Sequence, residues 1–203
     1  MNSKIKSVLT VLERQSRREK SRMINVEPDQ RMLAITKDTG EFFHAILVGA
    51  RSRRVLELGT SVGYSTLWFA GALLTNHTNP EIVTVEKNHL KIQRATKNFE
   101  RAGVSGIIRM KNGRILDVLK KMPQKPVFDF VLIDADKENA KKYFDLVLPM
   151  TRVGGIIATD NMFYPEKYQK IMRQYSAYIA KKPNVLTSTI PVGNGEEISI
   201  RIS

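Results

Sequence analysis

Two carboxylates and an amide stand where apolar runs of this 203-residue chain give out. Asp134 closes Phe130-Val131-Leu132-Ile133 and is followed by Ala135-Asp136-Lys137, while Asp160-Asn161 closes Gly155-Ile156-Ile157-Ala158-Thr159. If both runs are strands of one α/β sheet, their carboxyl ends meet at the crevice where such sheets bind ligands. An all-oxygen set of this kind suits a hard divalent cation such as Mg²⁺, with Mn²⁺ or Ca²⁺ as alternatives. Lys137, three residues after the first carboxylate, is then placed to act as a base beside that ion. The pattern points to metal-assisted group transfer. Each residue also has an ordinary structural reading. Asp134 or Asp136 can cap a helix starting near Glu138, Asp160-Asn161 can form an Asx turn, and Lys137 can be one more solvated lysine beside Lys141 and Lys142.

A second constellation lies upstream. Val55-Leu56-Glu57-Leu58-Gly59-Thr60-Ser61-Val62-Gly63-Tyr64-Ser65 reads as a strand, a glycine turn and a helix start. Gly59 permits a sharp turn, and Gly63 lets the helix begin against the strand without a Cβ in the way. The third glycine of the dinucleotide fingerprint is missing, and Glu57 sits inside the strand end, where a carboxylate can face a cationic ligand. The next strand ends in Val85-Glu86. An acid at that distance from a glycine turn can accept hydrogen bonds from both hydroxyls of a ribose, or serve only as an acid before the helix that follows Asn88.

These residues need a scaffold, and the hydrophobic pattern supplies one. Residues 3–23 read as an amphipathic helix with Ile5, Val8, Leu9 and Leu12 on one face; this stripe needs a burial partner, expected at a dimer interface or over the acceptor pocket. Pro28 suits the first turn of a helix over 29–36, and a further helix covers 38–50. From Val55 onward short apolar strands (Val55–Leu58, Ile82–Val85, Ile107–Met110, Phe128–Ile133, Gly155–Thr159) alternate with helices (Tyr64–Leu74, His89–Ala102, Leu116–Met122, Asn139–Leu148), which implies a parallel sheet with helices on both faces. A helix near 165–181 precedes Val185–Ile190 and Ile198–Ile202, two strands joined at Gly193-Asn194-Gly195 as an antiparallel edge hairpin. No linker divides the chain, so 1–203 reads as a single domain with a helical cap over 1–50 and an α/β core over 51–203.

Composition removes several chemistries. There is no cysteine, which excludes disulfides, thiolate metal sites and cysteine nucleophiles. His44, His77 and His89 form no cluster and are expected to be non-catalytic. No apolar run approaches membrane-spanning length, and a cytoplasmic location is expected. The formal net charge of +13, from 33 Lys+Arg against 20 Asp+Glu, fits a polyanion partner or a solvated basic surface. The cations recur along the chain, with one dense group at Arg14, Arg17, Arg18, Lys20 and Arg22.

Taken together, these motifs resemble the metal-dependent O-methyltransferases of the catechol and caffeoyl-CoA type. The resemblance runs from about Asp29 to the C-terminus. It is carried by Met32-Leu33 to Gly40, Leu56-Glu57-Leu58-Gly59-Thr60 with Gly63-Tyr64-Ser65, Val85-Glu86, Asp134-Ala135-Asp136-Lys137, Asp160-Asn161 and Pro191-Val192-Gly193-Asn194-Gly195. It implies a Rossmann-like class I methyltransferase fold, with a mostly parallel seven-stranded sheet, an antiparallel C-terminal hairpin and extra N-terminal helices. It implies S-adenosyl-L-methionine as cofactor, with Glu57, Gly59 and Ser65 around its methionine portion, Glu86 on the ribose and Gly113-Arg114 beside the adenine. Ile35 would cover the cofactor, Asp134 would face cofactor and metal, Asp160 and Asn161 would complete the metal shell, and Lys137 would share the departing proton. The implied acceptor is a small aromatic molecule with vicinal hydroxyls, a catechol, and the implied assembly a homodimer; the alternative acceptor is the wobble 5-hydroxyuridine of tRNA. Two departures bear on the acceptor. The stretch from Asn161 to Pro183 is short, and the usual Gly-Asp-Gly reads Gly193-Asn194-Gly195, followed by Glu196-Glu197.

Overall fold

The computed structural model describes residues 1–203. Seven strands, β1 (Arg54–Leu58), β2 (Glu81–Glu86), β3 (Ile108–Asn112), β4 (Phe128–Ile133), β5 (Thr151–Asp160), β6 (Val185–Ile190) and β7 (Glu196–Arg201), form one sheet. Their order is β3-β2-β1-β4-β5-β7-β6. The first five are mutually parallel, and β7 runs antiparallel to β5 and to β6. The expected edge hairpin is present, with the last strand inserted between β5 and β6. The order reverses direction between β1 and β4, and ligands of such sheets bind at that reversal.

The helices are α1 (Ser3–Lys20), α2 (Lys37–Gly49), α3 (Tyr64–Asn76), α4 (His89–Ala102), α5 (Ile115–Lys121), α6 (Ala140–Val147) and α7 (Gln169–Ile179). One core gathers α1 to α4 against one face of the sheet around Phe43, Phe69 and Phe130. The other gathers α5 to α7 against the opposite face around Phe144, Met172 and Tyr175. Covered on both sides, β1 and β4 are almost continuously apolar, as interior parallel strands must be.

Two expectations for the N-terminal region are corrected. The stripe Ile5, Val8, Leu9 and Leu12 is no more than 3% exposed and packs on α3 and α4 of its own chain, so neither a second copy nor an acceptor is needed to cover it. The cause lies in α3, where every residue from Tyr64 to Leu73 is buried. A helix apolar all round needs cover on the side away from the sheet, and α1 supplies it. Residues 29–36 are not a helix. One turn forms, with Gln30 and Arg31 N–H donating to Glu27 O, and then side chains capture the backbone before it can propagate. Asn88 Nδ2 donates to Asp29 O (3.0 Å), Arg94 Nη1 to Gln30 O (2.5 Å), and Met32 N to Glu19 Oε2 (2.7 Å). The segment is thereby strapped across α4. No helix is long and apolar enough to cross a membrane.

The reversal is closed by a backbone approach that only glycine allows. Gly59 has φ +108°, and a Cβ there would overlap the Asp134 carbonyl oxygen. Gly59→Ala is therefore expected to cost at least about 3 kcal/mol, combining strain and overlap, or to prevent folding. Gly49→Ala, a helical site with open space around it, should be neutral or gain about 0.5 kcal/mol. Urea titrations of the two variants check this; equal stabilities would show that the β1–β4 approach is not tight.

Candidate active site

Parallel register brings the ends of five strands to one edge. Leu58 is level with Val85 and with Ile133, Ile133 with Thr159, and Glu86 with Asn112. Gly59, Glu86, Gly113, Asp134 and Asp160 therefore rim a single crevice. The turn after β1 is held by Gly59 N and Thr60 N donating to Val85 O (3.1 and 3.2 Å), and Asp134 N donates to Leu58 O (3.0 Å). Gly63 is left-handed (φ +86°) and leaves room for the Phe99 ring of α4.

On the cofactor side the structure brings Glu57 and Ser65 into contact. Glu57 is fully buried and accepts from Ser65 Oγ (2.5 Å), Thr66 Oγ1 (2.6 Å) and Thr84 Oγ1 (2.5 Å). Burial outweighs these three hydroxyls and pushes it up to about 7. Glu86 is locked in place by backbone donors: Ser61 N at 2.9 Å, Lys87 N at 2.9 Å and Asn88 N at 3.0 Å. The helix that follows is capped by Asn88, whose Oδ1 accepts from Leu90 N and Lys91 N. Glu86 is thus oriented by the turn and only part-buried, with lone pairs left for hydroxyl donors. Gly113 N donates to Glu86 O (2.9 Å), which places Gly113 on this rim, with Arg114 exposed beside it. Ile35 is buried in the α1–α4 core, just ahead of the Thr36 cap of α2.

At the other end, the acids of Asp134-Ala135-Asp136 divide the roles that sequence left open. Asp136 is the cap: its Oδ1 accepts from Asn139 N (3.2 Å), and its Oδ2 accepts from Tyr143 Oη (2.5 Å). Asp134 is left free for the crevice. Lys137 is 7% exposed and bridges the two strand ends, its Nζ lying 3.7 Å from Asp134 Oδ1 and donating to Asp160 O at 2.9 Å. It is not a solvated lysine. Asn161 is left-handed (φ +68°), and its N–H donates to Asp160 Oδ1 (2.7 Å). Asp160 and Asn161 thus form a tight turn and remain next to the other acids.

Sequence reasoning missed Glu196. It is fully buried, lies opposite Asp160 in the β5–β7 ladder, and accepts from Thr39 Oγ1 of α2 (3.2 Å). Successive strand residues face opposite sides, so Glu196-Glu197 splits. Glu197 accepts from the hydroxyls of Ser176, Thr187 and Thr189, while Glu196 faces Asp160 across the ladder. The double acid was the visible signal, but the strand register that assigns the faces was not. Burial, then the Asp160 carboxylate, pushes Glu196 up to about 11. Burial, then Asp160, also raises Asp134 to about 7 against the pull of Lys137. Glu196 Oε2 is buried without a hydrogen-bond partner. A crowd of oxygens short of positive charge, with one orphaned, fits a divalent cation. No three acidic, histidine or cysteine side chains close a cage; the expected shell has only two carboxylates and an amide, leaving positions for substrate. His44 Nδ1 and His77 Nε2 each meet a backbone carbonyl elsewhere.

The raised Glu57 gives a pH dependence of defined sign. A buried acid whose folded value (about 7) exceeds its ordinary 4.5 contributes stability that is present below about pH 4.5 and lost as pH rises through 7. The ligand-free protein should therefore lose up to about 3 kcal/mol between pH 5 and pH 8 from this group, and Glu57→Gln should flatten that part of the profile. Denaturant midpoints across this range check it; an unchanged slope in the variant would place the effect elsewhere.

Comparison with known proteins agrees with this geometry. A stretch of 132 residues is 32% identical to a catechol O-methyltransferase from Niastella koreensis, covering 64% of this chain and 58% of that relative. A caffeoyl-CoA O-methyltransferase from Petroselinum crispum is 28% identical over 191 residues, covering 85% of this chain and 78% of the relative. An O-methyltransferase from Bacillus cereus, solved in complex with SAH, superposes with a TM-score of 0.75 at 27% identity, covering 99% of this chain and 91% of that one. The family model described as O-methyltransferase matches residues 13–202. With residues 13–202 matched by that model, this chain belongs to the O-methyltransferase family.

Proposed function

We propose that this protein transfers the methyl group of S-adenosyl-L-methionine to one oxygen of a ring bearing two adjacent oxygens, a catechol-type small molecule, with a divalent cation bound. The observation that carries the reading is the juxtaposition of Lys137 with Asp134 and Asp160 at the same crevice as the Glu57–Ser65 and Glu86 cluster. Glu57, Glu86 and Asp134 make the crevice a negative field suited to a sulfonium, and the Bacillus cereus relative holds SAH in the corresponding fold. Glu86, held by three N–H groups, would accept the ribose hydroxyls. Asp134, Asp160 and Asn161 would hold the cation, which when bound favours the deprotonated acceptor and fixes its direction. Methyl transfer from a sulfonium is an in-line displacement, so orientation of the acceptor oxygen is the main requirement. Lys137, fixed by the Asp160 carbonyl, would hydrogen-bond the acceptor oxygen and share its departing proton with solvent.

One observation favours a second acceptor. The basic half of α1 projects past the edge of the fold at which the crevice opens, and a 5-hydroxyuridine in the wobble position of tRNA presents the same pair of adjacent oxygens. A tritiated-methyl assay run in parallel against a catechol panel and total tRNA separates the two; incorporation into neither would defeat both.

Asp160→Asn should keep the fold and most cofactor affinity yet lose nearly all transfer, and the parent should be inhibited by EDTA and rescued by Mg²⁺. Turnover that resists EDTA would remove the metal from the reading. Glu86→Ala should lose roughly 2–4 kcal/mol of cofactor binding, the scale of charge-assisted hydrogen bonds. Calorimetry with an unaltered dissociation constant would return Glu86 to an acid that only braces its own turn.

A further inference from the structure

The exposed side of α1 carries cations that the crevice does not use. Arg14, Arg17, Arg18 and Lys20 line an open depression with Ser21 and Met23. All four are exposed, and none takes part in an ion pair. The acids of the same helical stretch are committed elsewhere: Glu13 accepts from Tyr64 Oη (2.9 Å), and Glu19 accepts from Met32 N and pairs with Arg94. The charge is therefore uncompensated.

Its position is informative. Met1 lies against Gly71 and Glu13 against Tyr64, so α1 runs antiparallel along α3 and reaches its first turn at Glu13. That first turn is at the crevice edge, immediately after Gly63. The remaining seven residues of α1 extend roughly 10 Å further, beyond the edge where the crevice opens. The basic turns form an overhang past that edge, in the layer outside α3 and α4.

We propose that this overhang binds the phosphate backbone of single-stranded RNA and leads it toward the crevice. Guanidinium groups spaced three and four residues apart on one helical face neutralise successive phosphates. A membrane surface fits less well, because the apolar stripe that would enter it is buried inside the chain. The choice of RNA over DNA rests on the second acceptor reading, in which the methylated ring is a uridine whose 5-hydroxyl stands beside its 4-carbonyl. Binding itself does not depend on that chemistry.

Fluorescence anisotropy with a labelled single-stranded RNA, without cofactor or metal, tests the surface. The same strand as DNA serves as competitor, over about 50–200 mM salt. The parent should bind RNA with steep salt dependence. The triple variant R17Q/R18Q/K20Q should weaken at least about tenfold at the low end, and its log–log salt slope should fall by about 0.7 for each cation that contacts phosphate. Its thermal midpoint should be unchanged, because these side chains have no partners. The control K120Q/K121Q/K125Q removes the same charge on and just beyond α5, on the opposite face of the sheet, and should bind as the parent does. No binding by the parent, or equal losses in both variants, overturns the surface; equal affinity for DNA overturns the assignment to RNA. Catechol methylation measured alongside shows whether the methyl-transfer reading fails separately.

Discussion

The turn after β1 and the end of β4 approach so closely that no side chain fits at Gly59, and the rest of the site is built around that approach. It places the Asp134 backbone against the glycine turn, with Asp134 N–H donating to Leu58 O. The carboxylate that follows β4 therefore lies beside the elements that close β1. The same turn donates two hydrogen bonds to Val85 O, which brings Glu86 to the rim, and it aims α3 so that Ser65 and Thr66 meet Glu57. A wider turn would separate the cofactor side from the acid side. Parallel register then does the rest, because strands with level ends present their following residues to one edge.

Electrostatically the molecule is inverted. Its exterior is strongly basic, with a formal charge of +13, while its crevice collects Glu57, Glu86, Asp134, Asp160 and Glu196. Three of these acids are raised by burial first and by one another second. Such a cluster is costly without compensation. The chain offsets part of it with hydroxyls at Glu57, with Lys137 at Asp134 and with the Thr39 hydroxyl at Glu196. The remaining deficit is one that a bound cation, such as those of the proposed reaction, would relieve. A site balanced in the free protein would have less to gain from binding one.

The N-terminal segment links these two features. Covering the all-apolar helix α3 consumes the stripe of α1, which leaves its basic face outward. The strap over 21–36 returns across α4 through Glu19, Asn88 and Arg94 and delivers Thr36 and Thr39 to the crevice, where Thr39 donates to Glu196. Ile35 is buried for the same reason: it lies where the strap turns into α2.

Sequence alone determined the alternation of strands and helices, the glycine turn, the acids at the strand ends and the C-terminal hairpin, because each is written in local periodicity or in a residue type that few conformations tolerate. Gly59 and Gly63, the run Phe128–Ile133 and the turn Gly193-Asn194-Gly195 are of this kind. The tertiary structure decided what depends on neighbours distant along the chain. Asp134 and Asp136 are equivalent as sequence, and only the packing of Tyr143 and Asn139 makes one the cap and frees the other. Glu196 and Glu197 differ only in which face of β7 they occupy, and the pairing of β7 with β5 sets that. Residues 29–36 carry a helix-start signal, yet side chains of α1 and α4 hold their backbone in another form. The stripe of α1 announced that it must be buried but not by what, since an apolar face records only its own need for cover and the cover comes from α3 and α4, far along the chain.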